Sequence, residues 1–286
     1  MSYSRLIRFI PKSSPTSPAL IGEPVDPKQD IGLATYSSEE VTVDVFSGSS
    51  ILAPGERTGK TETVHRVLSP LASNEVGTIR CIGLNECNLA IPDMPVLFMK
   101  PSTALADPFP ADTVIPRAVV KDEAADYESE LAIVIGKTCK NVSEEDALDY
   151  LLGFTAANDV SSRKAQMSQS QWCFSKSFDG ACPIGPAFVS KHAVSAIGDL
   201  QIKGSLNGEV VQESGLDDLI FSVPKIISFL SQGTTLPPGT IIITGTPAGV
   251  GFVSEPKRRL KEGDEFRVCV SHGVGTLINR IREEES

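Results

Sequence analysis

Apolar positions recur along this chain mainly with period two. Arg5-Leu6-Ile7-Arg8-Phe9-Ile10 nearly alternates apolar and basic residues, as a strand with one buried face does. Residues 31–36 and 41–46 read as further strands, residues 61–68 as a short helix, and residues 70–75 as a linker. From Gly77 the texture changes: apolar runs at 79–84, 96–99, 131–135, 241–244 and 266–270 alternate with Gly/Pro-rich loops. Two helix starts are legible. Ser143 with Asp146 resembles a capping box opening a helix toward Leu151, and Ser222 with Pro224 opens one over 223–230 that Gly233 can close. Asn207-Gly208 between extended runs predicts a two-residue hairpin. Strands outnumber helices and long crossover helices are scarce, so the pattern predicts a mainly β fold with some α, that is α+β, split into a small domain at 1–72 and a larger one at 73–286.

Charge and cysteine content narrow the function classes. The 36 acidic residues against 26 basic ones give a net charge of -10, which argues against nucleic acid as a partner. No apolar run reaches the eighteen residues of a membrane span, and the N-terminus lacks the apolar core of a secretory signal. A cytoplasmic location is therefore expected; the serines and Arg5, Arg8 and Lys12 near the start leave mitochondrial targeting as the alternative. The six cysteines form no C-x-x-C pair, so buried reduced thiols are expected. His65, His192 and His272 are too scattered for a histidine metal site.

Candidate chemistry lies in acidic and glycine-rich segments. In Asp126-Tyr127-Glu128-Ser129-Glu130, an extended chain points Glu128 and Glu130 to one face, just where a strongly apolar run enters the core. Two adjacent carboxylates there call for a cation or a proton between them; a solvated strand end is the plainer alternative. Asp159 is followed by Arg163 and Gln166 at helical spacing, which reads either as a polar functional face or as a helix cap with surface residues. Lys176 precedes a rigid turn and, by itself, is as readily a surface lysine. The segment from Thr244 to Gly251, with Thr246 inside it, is a glycine-rich loop of the kind whose N–H groups approach an anion, without the lysine of a nucleotide loop.

Taken in order, D-Y-E-S-E-L-A-I-V-I-G, N-D-V-S-S-R-K-A-Q, K-S-F-D-G-A-C-P-I-G-P, L-N-G-E-V-V-Q, T-G-T-P-A-G-V-G and G-V-G-T-L-I-N resemble the fumarylacetoacetate hydrolase superfamily from about Thr78 to the end. The resemblance implies a mixed β-roll, usually homodimeric, with a small N-terminal domain. It implies a divalent ion, Mg²⁺ with Mn²⁺ or Ca²⁺ as substitutes, on Glu128, Glu130 and Asp159. It implies Lys176 as a catalytic lysine beside the ion, and Thr246, Arg163 and Gln166 as substrate-binding residues. The implied substrate is a small 2-oxo or 1,3-dicarbonyl acid of acylpyruvate or oxaloacetate type, handled through a metal-stabilised enolate.

One departure bears on the reaction. Hydrolytic members carry N-Y-x-x-H-A-x-E after the first strand of the main domain, whereas here Asn85 runs straight into Glu86. Glu86 matches the catalytic glutamate, but no histidine stands near it. Loss of a general base damages water attack more than enolisation. The expectation is a tautomerase/isomerase or decarboxylase, with C–C hydrolysis of an acylpyruvate and a metal- and ligand-binding pseudoenzyme as the alternatives.

Overall fold

The computed structural model describes residues 3–84 and 92–285. Most of the strands expected from period two form. Arg5–Pro11, Leu20–Pro24, Thr42–Phe46 and Arg57–Leu68 pair in a ring, and Arg5–Pro11 pairs through its first residues with Cys182–Ser190 as well. From there the sheet continues through Leu151–Asn158, Ser129–Ile135, Ile241–Ile243 and Ile79–Gly83 to Val96–Lys100. Its ladders are mixed: Ile241–Ile243 runs parallel to Ile79–Gly83 but antiparallel to Ser129–Ile135.

A second sheet is ordered Glu209–Gly215, Gln201–Leu206, Glu265–Val270, Gly275–Glu283, Thr113–Ile115. Its inner face packs on the central strands, where Tyr127 stacks on Phe266 with ring centroids 4.5 Å apart. The uninterrupted apolar run of Ser129–Ile135 is the consequence: every one of its residues is buried, with a sheet neighbour on each side and packing on both faces. A smaller cluster of Ile7, Phe9, Ile31, Val43 and Val67 fills the N-terminal ring. The segment at 70–75, expected as a linker, is pinned: Leu71 is fully buried and Ala72 N–H donates to Glu75 Oε2 at 2.7 Å.

Three local expectations are corrected. Ile31–Tyr36 is a helix, because Asp30 Oδ1 accepts from Leu33 N–H and caps it while Ile31 and Ala34 fall on one buried face. Residues 61–68 lie within the strand Arg57–Leu68, where Thr61, Thr63, Val64 and Val67 find ladder partners on two sides that a helix would forfeit. Ser143 does accept from Asp146 N–H at 3.1 Å, but only a single 3₁₀ turn follows, at Ala147–Asp149. The other two signals hold. Ser222 caps the helix Val223–Ser231, and Asn207-Gly208 turns the hairpin with both residues at positive φ. Among the described residues no helix is long and apolar enough to cross a membrane.

Candidate metal centre

The acidic segment is extended and buried. Glu128 N–H donates to Asn158 Oδ1 at 3.0 Å, and Asp159 N–H donates to the Glu128 carbonyl at 2.9 Å. Those bonds tie the acidic strand to the end of Leu151–Asn158, so the carboxylate that follows this neighbour meets the two that share a face. Glu128, Glu130 and Asp159 can each offer one oxygen within 4.8 Å of the others, and all three are buried. The solvated strand end is thereby excluded. Asp159 is not a cap either: the helix Arg163–Ser168 begins four residues later, with Ser162 at its N-cap.

Cations surround the triad. Lys176 is 1% exposed, and its Nζ donates to Glu128 Oε2 at 2.6 Å and to Asp159 Oδ2 at 2.8 Å. Lys100 Nζ lies 2.7 Å from Asp159 Oδ1 and donates to the carbonyls of Lys176 and Ala181 at 2.5 and 2.9 Å. Arg163 reaches Asp126 through Nε at 2.7 Å, and Glu128 and Gln166 through Nη1 at 2.6 and 2.9 Å. Its Nη2 is buried without a hydrogen-bond partner.

These contacts divide the acids into unlike pairs. Burial alone would raise the Glu128 carboxyl, but the Lys176 ammonium and the Arg163 guanidinium overcome it and hold the group down at about 2. Glu130 goes the other way. Burial and the neighbouring Asp159 and Glu128 charges push it well above the ordinary carboxylate range, against Lys176 and the Gly245 N–H. Burial opposes the charge on Lys176 as well, yet Asp159 and Glu128 keep it an ammonium with a raised pKa.

The glycine-rich loop does approach an anion, and the anions are the protein's own. Gly245 N–H donates to Glu130 Oε2 at 2.6 Å, while Gly251 and Phe252 N–H groups donate to the Asp126 carboxylate at 2.9 and 3.0 Å. A Cβ at Gly251 would stand 2.6 Å from Asp126 Oδ1, so the close approach requires glycine there. Thr246, the next residue after Gly245, is half-buried at the rim and accepts from Gln212 Nε2 at 2.7 Å.

The structure therefore brings Glu128, Glu130, Asp159, Lys176, Arg163 and Gln166 together, with Thr246 on the loop that touches Glu130. Glu86 lies outside the described residues. All three histidines of the chain are described and exposed, so none belongs to this buried cluster. Sequence reasoning missed three members: Lys100, Asp126 and Gln212. The only available signals were an apolar strand ending on Lys100-Pro101, a third acid ahead of the pair, and the glutamine closing L-N-G-E-V-V-Q.

The donor set fits a hard divalent cation, being three carboxylates with no soft ligand among them. Charge fits too. Asp126, Glu128, Glu130 and Asp159 face Lys100, Arg163 and Lys176, four negative groups against three positive, so the fully ionised cluster carries one excess negative charge. A 2+ ion would turn that into one excess positive charge, a setting suited to an anionic ligand.

Comparison with known proteins gives the cluster a context. Residues 74–282 match the family model described as fumarylacetoacetate (FAA) hydrolase C-terminal. A caffeoylpyruvate hydrolase of Neonothopanus nambi is 44% identical over 100% of this chain and 95% of its own. A mitochondrial oxaloacetate tautomerase of Rattus norvegicus is 38% identical over 70% of this chain and 65% of its own. The crystal structure of a 5-carboxymethyl-2-hydroxymuconate delta-isomerase from Mycobacterium smegmatis superposes with a TM-score of 0.80 at 27% identity, covering 98% of this chain and 100% of that one.

Proposed function

Because the chain belongs to the fumarylacetoacetate hydrolase family, we propose that Glu128, Glu130 and Asp159 hold a divalent cation, Mg²⁺ first, and that the enzyme enolises a 2-oxo or 1,3-dicarbonyl acid. The observation that carries this reading is the buried carboxylate triad with the Lys176 ammonium bridging two of its members. A bound divalent cation supplies Lewis acidity, lowering the cost of negative charge on a chelated keto oxygen. The protein's own groups do the rest. Lys176, held protonated by two carboxylates, is a fixed donor and positive charge beside a developing oxyanion rather than a base. Arg163 and Gln166 spend most of their bonds on Glu128, Asp126 and each other, so they orient the ligand set. The unpartnered Arg163 Nη2 is left to receive a substrate carboxylate. Thr246 offers a hydroxyl from the loop whose Gly245 N–H holds Glu130.

Exposure of all three histidines favours tautomerisation, isomerisation or decarboxylation over hydrolysis, since none can serve as a base in the cluster. Acylpyruvate hydrolysis is the second reading, favoured by the 44% identity to a caffeoylpyruvate hydrolase along the entire chain. Pure protein with Mg²⁺ is to be incubated with oxaloacetate or acetylpyruvate, with and without EDTA, following enol absorbance and products. EDTA-sensitive loss of the enol without acetate is expected, and carbon dioxide release would mark a decarboxylase. Acetate release would install the hydrolase. Binding of metal and acid without turnover would leave a binding protein.

Metal uptake should also release a proton. The Glu130 carboxyl, pushed up by burial and by Asp159 and Glu128, must ionise to ligate, whereas Glu128 at about 2 is already ionised. Below the raised Glu130 value, apparent Mg²⁺ affinity should climb with pH by up to about tenfold per unit, flattening above it. Calorimetry in buffers of different ionisation enthalpy reads the proton directly. A heat independent of buffer throughout the acid range would contradict this protonation state.

A further inference from the structure

We propose that Gln212 is a positioning residue that turns the Thr246 hydroxyl into an obligate donor toward an anionic ligand. The inference rests on the reading of Thr246 as a carboxylate-binding residue. Gln212 belongs to the second sheet, on the strand Glu209–Gly215, and crosses to the centre. Its Oε1 accepts from Ser129 N–H at 2.9 Å, and its Nε2 donates to the Pro247 carbonyl and to Thr246 Oγ1, each at 2.7 Å. The amide cannot be flipped. Ser129 N–H can only donate and the Pro247 carbonyl can only accept, so each end of the amide is assigned by an unambiguous partner.

Two consequences follow. Ser129 stands between Glu128 and Glu130, so one side chain locks the middle of the acidic strand to the glycine-rich loop whose Gly245 holds Glu130. In addition, the second Nε2 proton occupies a lone pair of Thr246 Oγ1, so the hydroxyl proton must turn away from Gln212. A threonine that would otherwise rotate freely is left presenting its proton to the site. The neighbouring strand makes room for this bridge: a Cβ on Gly204 would fall 2.2 Å from Ser129 Oγ and 3.1 Å from Gln212 Oε1. Gln212 is 1% exposed, and no step of the reaction needs it to touch substrate.

Gln212→Glu tests the idea because it reverses the polarity of the bridge. Ionised, or protonated toward the Pro247 carbonyl, a glutamate there accepts from Thr246, and the hydroxyl proton is withdrawn from the site. The probe is oxalate, a two-carbon dianion that chelates as a 2-oxo acid enolate would, titrated calorimetrically in saturating Mg²⁺, alongside Mg²⁺ alone. Gln212→Glu is expected to weaken oxalate about tenfold or more, the usual worth of a hydrogen bond to a charged group, with Mg²⁺ affinity changed less than about threefold. In a Thr246→Val background the same change should add nothing, whereas in Thr246→Ser it should still weaken oxalate. Gln212→Met, which keeps the volume and removes the bridge, carries the same expectation at about threefold and serves if the glutamate variant does not fold. Equal losses in the presence and absence of the Thr246 hydroxyl would reduce Gln212 to a structural residue and overturn the inference alone. Failure of the unaltered protein to bind oxalate with Mg²⁺ would instead overturn the reading of the site beneath it.

Discussion

Replacing Lys100 with methionine is expected to destabilise the protein by about 3–5 kcal/mol, although no substrate role is assigned to this residue. The Lys100 side chain is fully buried, and its ammonium meets Asp159 at 2.7 Å and the carbonyls of Lys176 and Ala181 at 2.5 and 2.9 Å. The Asp159 contact is an ion pair, while the ammonium protons go to the Lys176 and Ala181 carbonyls and, at 3.5 Å, to that of Val160. Methionine has nearly the same volume, so the cost is electrostatic: a buried carboxylate loses a partner and the buried Lys176 carbonyl loses a donor, while the Ala181 carbonyl keeps the Val160 N–H. Arginine should not rescue, because a planar fork cannot direct its protons from one point at acceptors converging on a single nitrogen. Urea unfolding of the two variants reads this directly, and a loss below about 1 kcal/mol for methionine would show that the site relaxes around the change. Turnover should fall as well, since the same ammonium fixes both Asp159 and the backbone that carries Lys176.

The contrast between Lys100 and the acidic triad shows what the sequence could display. Glu128 and Glu130 were legible because strand geometry alone sets two residues on one face, and because the apolar run beginning at Leu131 says that the face is buried. Asp159 added only a turn after a small-residue strand. Lys100 ends its own apolar strand, as many exposed lysines do, and its partners stand some sixty to eighty residues further on, so no local pattern separates a buried ion pair from a solvated strand end. Gln212 was hidden for the same reason: from the second sheet it joins Ser129 on the first to Thr246 in the loop after Ile241–Ile243. Local signals failed where tertiary pairing overrode them. Residues 61–68 carry no strong helix or strand period, and the ring of N-terminal strands decided the outcome. The glycine-rich loop was read correctly as a place where N–H groups meet negative charge, but that the charge would come from Asp126 and Glu130 depends on contacts more than a hundred residues apart.

Lys176→Met should separate metal binding from turnover by moving them in opposite directions. In the metal-free protein the Lys176 ammonium already bridges two of the triad's members, 2.6 Å from Glu128 and 2.8 Å from Asp159. A unit charge so close to two ligand carboxylates opposes a second cation by several kcal/mol, even with an effective dielectric near about 20. Its removal is therefore expected to tighten Mg²⁺ at least about tenfold. The metal-free variant should be less stable by about 3–5 kcal/mol, since two buried carboxylates each lose one of two cationic partners, Glu128 keeping Arg163 and Asp159 keeping Lys100. Saturating Mg²⁺ should return much of that loss, about 2.7 kcal/mol at a hundred times its dissociation constant. Turnover should nevertheless fall by about 10²–10⁴, the range associated with loss of a positioned proton-bearing group, because no other described side chain replaces an ammonium that bridges Glu128 and Asp159. Thermal unfolding with and without Mg²⁺, calorimetry and steady-state kinetics on the one variant supply all three readouts. Weaker Mg²⁺ binding would mean that Lys176 shapes the ligand set rather than competing with the ion. Unchanged turnover would remove it from the reaction and move the catalytic burden to Arg163 and Thr246.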